Sequence, residues 1–184
     1  MTIYARIIGS CWLAFFAVWF VAMLRGGGRT QRYSPSAGPV RLLLVVTIAL
    51  GAVFGRRLTA YTFASFTEDV AAVGCALCIL GLAFAVWARV TLGRNWGMPM
   101  TLHESPELVT SGPYRFVRHP IYAGMAAMAI GTALVFPLAA LWAAAMIVYV
   151  VLSARREERD MERQFPDAYP AYMQRSKMLI PYVI

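Results

Sequence analysis

The chain has 184 residues, of which 60% are hydrophobic and only 14% charged, with a formal net charge of +8. Soluble domains carry about 45–50% apolar residues, so this composition argues against a water-soluble enzyme and for a membrane protein. The positive charge does not indicate nucleic-acid binding, because the arginines are spread over segments between apolar runs, the pattern that orients a chain in a bilayer.

Five apolar segments follow one another. The first, residues 7–24, reads "IIGSCWLAFFAVWFVAML". It has the look of a signal peptide, but the following "RGGGRTQRYS" offers no small-x-small cleavage site, so a retained membrane helix is expected. The second, residues 40–54, is opened by Pro39 and closed by Gly55, Arg56 and Arg57. The third covers residues 70–90. The fourth and fifth, residues 121–136 and 138–154, are separated only by Pro137. Sixteen helical residues rise about 24 Å against a hydrocarbon core of about 30 Å, so a tight helical hairpin is expected for this last pair. The expected architecture is an all-α integral membrane protein of about five transmembrane helices with a cytoplasmic C-terminal helical segment. It forms a single domain over residues 1–184: a scaffold at 1–90 and a catalytic core at 91–184.

The three cysteines, Cys11, Cys75 and Cys78, all lie in apolar runs. An odd, buried set gives no disulfide framework. Cys75 and Cys78 spell C-x-x-C on one helix face, which fits small residues packed between helices better than a redox or metal site. With two histidines in the chain, His103 and His119, no zinc site is expected.

The basic residues set the orientation. With the N-terminus outside, Arg25, Arg29, Arg32, Arg41, Arg89, Arg94, Arg115 and Arg118 are cytoplasmic, as are Arg155, Arg156, Arg159, Arg163, Arg175 and Lys177. Only Arg6, Arg56 and Arg57 remain outside. An inner or plasma membrane location follows, with the site and the C-terminus cytoplasmic.

Chemistry concentrates in three stretches. The first is "GPYRFVRHPIYAG" at residues 112–124, at the mouth of the fourth apolar segment. Pro120 belongs in the first turn of a helix, where its missing N–H costs nothing. His119 then stands at or near the cap, where the helix dipole favours a neutral imidazole. The free N–H groups of such a helix end hold an anion, such as a carboxylate, and Arg115 and Arg118 either add charge-assisted bonds to it or anchor to lipid phosphates. The second stretch is "ARREERDMERQF" at residues 154–165, with Glu157 and Glu158 following the fifth segment. These carboxylates form either a solvated, salt-bridged face or a site that accepts from ribose hydroxyls or an ammonium group. The third is "TLGRNWG" at residues 91–97, where Asn95 can hydrogen-bond a ligand and Trp96 fits the aromatic belt of a membrane interface. There is no G-x-G-x-x-G, no P-loop and no nucleophile elbow.

The stretch "LVTSGPYRFVRHPIYAG", then two apolar segments, then "EE", then "FPDAYPAYMQRSKMLIP", resembles the isoprenylcysteine carboxyl methyltransferase family. The related phospholipid methyltransferases share R-H-P-x-Y-x-G plus E-E. The resemblance runs from about Leu92 to the C-terminus. It implies an integral membrane enzyme that uses S-adenosyl-L-methionine, bound in a cytoplasmic pocket, with a lipophilic or prenylated acceptor entering from the bilayer. Carried onto this chain, Leu108 and Val109 contact the cofactor through backbone and apolar surface, and Tyr114 packs against it. His119, Pro120 and Tyr122 line its amino-acid end, with the histidine on its carboxylate. Glu157 holds a polar part of the cofactor. Arg156, Glu158 and Asn95 are the residues expected at the reaction itself. Isoprenylcysteine carboxyl O-methylation is the nearest reaction, and a phospholipid, thiol or amine acceptor is the alternative.

Two positions depart from the family pattern. Ser153 stands where carboxyl-methylating members carry an arginine four residues before the first glutamate, which weighs against a carboxylate acceptor. Pro166 replaces the usual glycine after the phenylalanine and stiffens the turn before Tyr169, which with Tyr172 is expected to pack in the core. An NADPH-dependent membrane reductase of the sterol type also uses an R-H-P element, but on a longer chain with more spans. A non-enzymatic membrane anchor is the remaining reading.

Overall fold

A computed structural model describes residues 3–25, 32–33, 67–93, 101–102 and 108–180. The apolar segment at 40–54, Asn95, Trp96 and His103 lie outside the described residues. The described elements are helices α1 (Ile3–Arg25), α2 (Glu68–Leu92), α3 (Pro120–Val135), α4 (Ala140–Gln164) and α5 (Ala168–Met173). Two-residue strands β1 (Arg32–Tyr33) and β2 (Thr101–Leu102) pair antiparallel. Among the described residues, three helices are long and apolar enough to cross a membrane: Ile3–Ala22, Glu68–Leu92 and Pro137–Gln164. Pro120–Val135 is a shorter apolar helix.

Helix α2 has its ends written in the sequence. Thr67 is extended before it, Glu68 and Asp69 occupy the first turn and Arg89 the last, each on the side the helix dipole favours. Gly93, at φ 53°, returns its N–H to the Arg89 carbonyl and ends the helix. The strand pair joins a residue pair just beyond α1 to one just beyond α2, so the C-terminal ends of both helices lie on one side of the bundle.

Helices α2 and α3 pack antiparallel along glycines. Gly74 meets Gly131 and Gly81 meets Gly124, backbone to backbone. A Cβ at Gly74 would stand 2.7 Å from the Gly131 carbonyl oxygen, and one at Gly81 2.7 Å from that of Gly124. The helices can approach this closely only because those side chains are missing, and dispersion between the two backbones is the return. Cys78, fully buried, lies against Gly131, while Cys11 and Cys75 join the same cluster with Ile8, Phe15 and Met128. The cysteines therefore fill space between helices, as expected.

Helix α1 closes over this seam with aromatic rings. Phe15 stacks on Trp19 at 4.1 Å between centroids, and Trp12 meets Trp142 edge-on at 5.3 Å. Trp12 also donates its indole N–H to Thr132 Oγ1 at 3.0 Å. Thr132 in turn donates to the Met128 carbonyl at 2.8 Å, so the buried hydroxyl is satisfied in both directions.

A 3₁₀ turn at Pro137–Ala139 joins α3 to α4. The second core cluster lies between these helices, with Tyr122 and Ala129 against Ala143, Met146, Tyr149, Val150 and Ala154. Helix α4 runs ten residues beyond the apolar segment 138–154 that hydropathy marks. Glu157 and Glu158 therefore lie inside a helix, not after one, and the fifth segment is not short. The cause is that Arg, Glu, Met and Gln sustain a helix as well as apolar residues do. Asp160 and Arg163 add an ion pair one turn apart at 3.5 Å.

Candidate functional site

The R-H-P-x-Y-x-G stretch is framed before it enters α3. A 3₁₀ turn at Gly112–Arg115 opens it, with Gly112 at φ 57° and Pro113 and Tyr114 buried. Leu108 and Val109 are half-buried in the irregular run that enters this turn. His119 is the N-cap of α3 and Pro120 its first residue, as the sequence predicts. The C-terminal segment runs parallel alongside. Arg118 N–H donates to the Lys177 carbonyl at 2.7 Å, His119 N–H to that of Met178 at 3.1 Å, and Lys177 N–H to that of Phe116 at 3.2 Å.

Helix spacing does the rest. Tyr149, Ser153 and Glu157 are four residues apart on α4, and the first two are buried against α3. Tyr122, in the first turn of α3, donates its hydroxyl to Glu157 Oε1 at 2.5 Å. The His119 ring stacks near Tyr122 at 5.7 Å and lies between the two carboxylates. Its Nδ1 is 3.5 Å from Glu157 Oε2, and its Nε2 is 3.5 Å from Glu158 Oε1. Nε2 is buried and has no hydrogen-bond partner. Arg118 donates from Nε to Glu158 Oε1 at 2.6 Å, and from its terminal nitrogen to the carbonyls of Met173, at 3.4 Å, and Ser176. Tyr172 donates its hydroxyl to the Tyr114 carbonyl at 2.5 Å, tying α5 to the 3₁₀ turn.

The electrostatics differ from the expectation of a neutral His119. Burial alone pushes the imidazole toward losing its proton, but Glu157 and Glu158 outweigh it, and the pKa lies above the ordinary histidine value. The helix dipole, which suggested neutrality, is the weaker influence beside two carboxylates at 3.5 Å. Burial holds the Tyr172 hydroxyl as a protonated donor, with its pKa pushed up to about 12. Tyr114 is raised as well, by burial first and then by Glu157 and Tyr172.

Among the predicted site residues, His119, Pro120, Tyr122, Glu157 and Glu158 converge, and Tyr114 lies beside them. Arg156 is half-buried on α4 next to Glu157. Asn95 lies outside the described residues. Arg115 is exposed, with its guanidinium 4.8 Å over the neighbouring Phe116 ring. Arg118 does not wait for an anion from outside: it is committed to Glu158 and to main-chain carbonyls. Tyr172 and Ser176 complete the frame and were not read as site residues. The doublet Tyr169–Tyr172 was legible as core, but not the hydroxyl bond to Tyr114.

The chain resembles known proteins in sequence and in fold. The family model described as phospholipid methyltransferase matches residues 70–168, more than half of the chain. A probable protein-S-isoprenylcysteine O-methyltransferase from Oryza sativa subsp. indica is 30% identical over 132 residues, covering 68% of this chain and 65% of the relative. A methanethiol S-methyltransferase from Bradyrhizobium diazoefficiens is 38% identical over 77 residues, which is 42% of this chain and 27% of that protein. The solved structure of a eukaryotic intramembrane Ras methyltransferase, an isoprenylcysteine carboxyl methyltransferase, superposes with a TM-score of 0.54 at 26% identity. That match covers 83% of this chain and 54% of the other. The chain thus spans less than two thirds of the length of each of these relatives. The helices and this structural likeness make it an integral membrane protein.

Proposed function

The chain belongs to the phospholipid methyltransferase family, and on that premise we propose that it transfers a methyl group from S-adenosyl-L-methionine to a lipophilic acceptor that reaches the site from the bilayer. The observation that carries this reading is the convergence of His119, Tyr122, Glu157 and Glu158 where apolar helices α3 and α4 meet the C-terminal segment.

The residues fit the cofactor. The buried Nε2 of His119 is a donor without a hydrogen-bond partner, as a carboxylate would require. Glu157 and Glu158 offer acceptors for an ammonium group or ribose hydroxyls. Leu108, Val109, Tyr114 and Pro120 supply apolar and ring surface around them. When bound, S-adenosylmethionine supplies an electrophilic methyl group on a sulfonium centre. The protein's part is then to orient and to exclude water. Tyr122 fixes Glu157 through its hydroxyl, and His119, drawn toward its charged form by the two glutamates, offers Nε2 to negative charge. Buried Tyr169 and Tyr172, with the paired C-terminal segment, keep solvent from that end. A carboxylate or thiolate acceptor needs no general base, and none of these groups has to move a proton for it. The arginine distribution supports a cytoplasmic site.

The acceptor nearest the family pattern is an isoprenylcysteine carboxylate. A small thiol is a second reading, favoured by Ser153. It lies fully buried one turn before Glu157, and a neutral hydroxyl there cannot form the bidentate ion pair that an arginine makes with an acceptor carboxylate. The bacterial relative acting on methanethiol points the same way.

The test is the melting temperature of detergent-purified protein with S-adenosylhomocysteine, with NADPH and with neither. Ligand at about 100 times its dissociation constant stabilises by about 2.7 kcal/mol. A shift with S-adenosylhomocysteine alone supports the cofactor. Transfer of a labelled methyl group to a prenylcysteine, an alkanethiol or phosphatidylethanolamine then identifies the acceptor. A shift with NADPH alone would replace the proposal with a reductase.

A further inference from the structure

Arg118 is not itself assigned to the cofactor, but it bonds Glu158, which is, and through its other bonds it is heavily committed to the protein. Its side chain is 10% exposed, and that of its partner Glu158 is 13% exposed. Nε takes Glu158 Oε1 at 2.6 Å, and the terminal nitrogen takes the carbonyls of Met173 and Ser176. Its own backbone N–H is held by Lys177. One guanidinium thus joins three parts of the chain: the cap of α3, the α4 carboxylate, and the segment that leaves α5. The same Glu158 oxygen lies 3.5 Å from His119 Nε2, an ion-pair distance at which Nε2 makes no hydrogen bond. Without Arg118, that oxygen is free to swing toward Nε2 and close the donor that a ligand carboxylate would use.

We infer that Arg118 is a positioning residue: it holds Glu158 away from the His119 donor and docks the Ser176–Met178 segment, so that the binding site is assembled only when the C-terminal segment is seated. A planar fork is suited to this double task. Lysine supplies the charge but not two bonds in fixed directions. The inference concerns the site of the proposed methyltransferase and rests on that reading for its ligand, but not for its docking arm.

Two measurements test it on the whole 184-residue chain in detergent, with wild type, Arg118→Lys, Arg118→Gln and Glu158→Gln. The first is limited trypsin digestion, followed by mass spectrometry of cleavage after Arg175 and Lys177, both exposed. Arg118→Gln should release these C-terminal peptides about tenfold faster, a loss of docking of about 1.4 kcal/mol. Arg118→Lys should lie between it and wild type. Glu158→Gln should change release by less, because the carbonyl bonds remain. The second is the dissociation constant for S-adenosylhomocysteine. It should rise at least tenfold in Arg118→Gln and only partly recover in Arg118→Lys. The double variant with Glu158→Gln should fall short of the sum of the single effects, as for residues acting through one another. Unchanged cleavage in both arginine variants would overturn the docking role. Faster cleavage with unchanged affinity would overturn the positioning role. If wild type binds no S-adenosylhomocysteine, the cofactor reading fails while the cleavage arm still decides the docking. Arg118→Lys keeps both arms readable if the glutamine variant fails to fold.

Discussion

Helix α3 has two neighbours and meets them by opposite means. Against α2 it offers absence: Gly124 and Gly131 let two backbones touch. Against α4 it begins with polar groups, His119 and Tyr122, pressed onto two glutamates. The first seam is tolerant of nothing larger than hydrogen, because its contacts are backbone on backbone. The second contains charges that are costly to bury and are held only because each finds a partner. A scaffold seam can be rigid and chemically silent. A site seam must keep one donor incompletely satisfied, and here that donor is His119 Nε2.

The contrast can be broken most forcefully at the glycines. Gly81→Leu drives a side chain into the Gly124 carbonyl and should cost about 3 kcal/mol or more, at the upper end of overpacking penalties. Melting temperature and yield of folded protein in detergent are the readouts. A wild-type melting curve would mean that the helices do not approach this closely. Next in size is Glu157→Ala. It removes the acceptor of Tyr122 and one partner of His119, and should weaken S-adenosylhomocysteine binding by about 10- to 100-fold, as expected for charge-assisted bonds of about 1.5–3 kcal/mol. The fold should survive, since the α2–α3 seam is untouched. Affinity within twofold of wild type would remove Glu157 from the cofactor site.

A gentler probe is pH. The folded pKa of His119 is raised above its unfolded value of about 6.5. Its contribution to stability is therefore complete below about pH 6.5 and is lost as pH rises through the folded value. Thermal stability of wild type should decline across that window, and His119→Gln should flatten the decline. An identical slope in both would assign the pH dependence to other groups. The smallest effect is expected of Trp12→Phe, which keeps the rings but loses the bond to Thr132. Buried bonds of this kind in membrane proteins average about 0.6 kcal/mol. A melting shift as large as that of Gly81→Leu would show that α1 is a structural equal of the seam it covers.

Much of the scaffold was legible. The apolar run at 70–90 lies within Glu68–Leu92, and Pro120 marks the start of α3, because caps, dipole partners and proline geometry are local properties. The end of α4 was not, since hydropathy falls at Ala154 while helix propensity continues to Gln164. The two glycine pairs are visible as spacings of seven, but their register against each other belongs to neither helix alone. The convergence of His119 with the glutamates rested on family likeness, and the geometry agrees. Arg118 was named but misassigned to an external anion, because two of its acceptors are main-chain carbonyls, which every residue has and no sequence pattern marks.

Helix α4 has one further property. It is a single rod from Ala140 to Gln164, apolar at one end and bearing Glu157 and Glu158 toward the other. Glu157 is about 25 Å along it from Ala140, at 1.5 Å per residue. Bilayers of different thickness tilt such rods to match hydrophobic lengths. A change of only about 5° would carry the glutamates about 2 Å sideways, a large fraction of a hydrogen bond's length. A lipid thickness that tilted α4 against α3 would therefore change the spacing between Glu157 and His119.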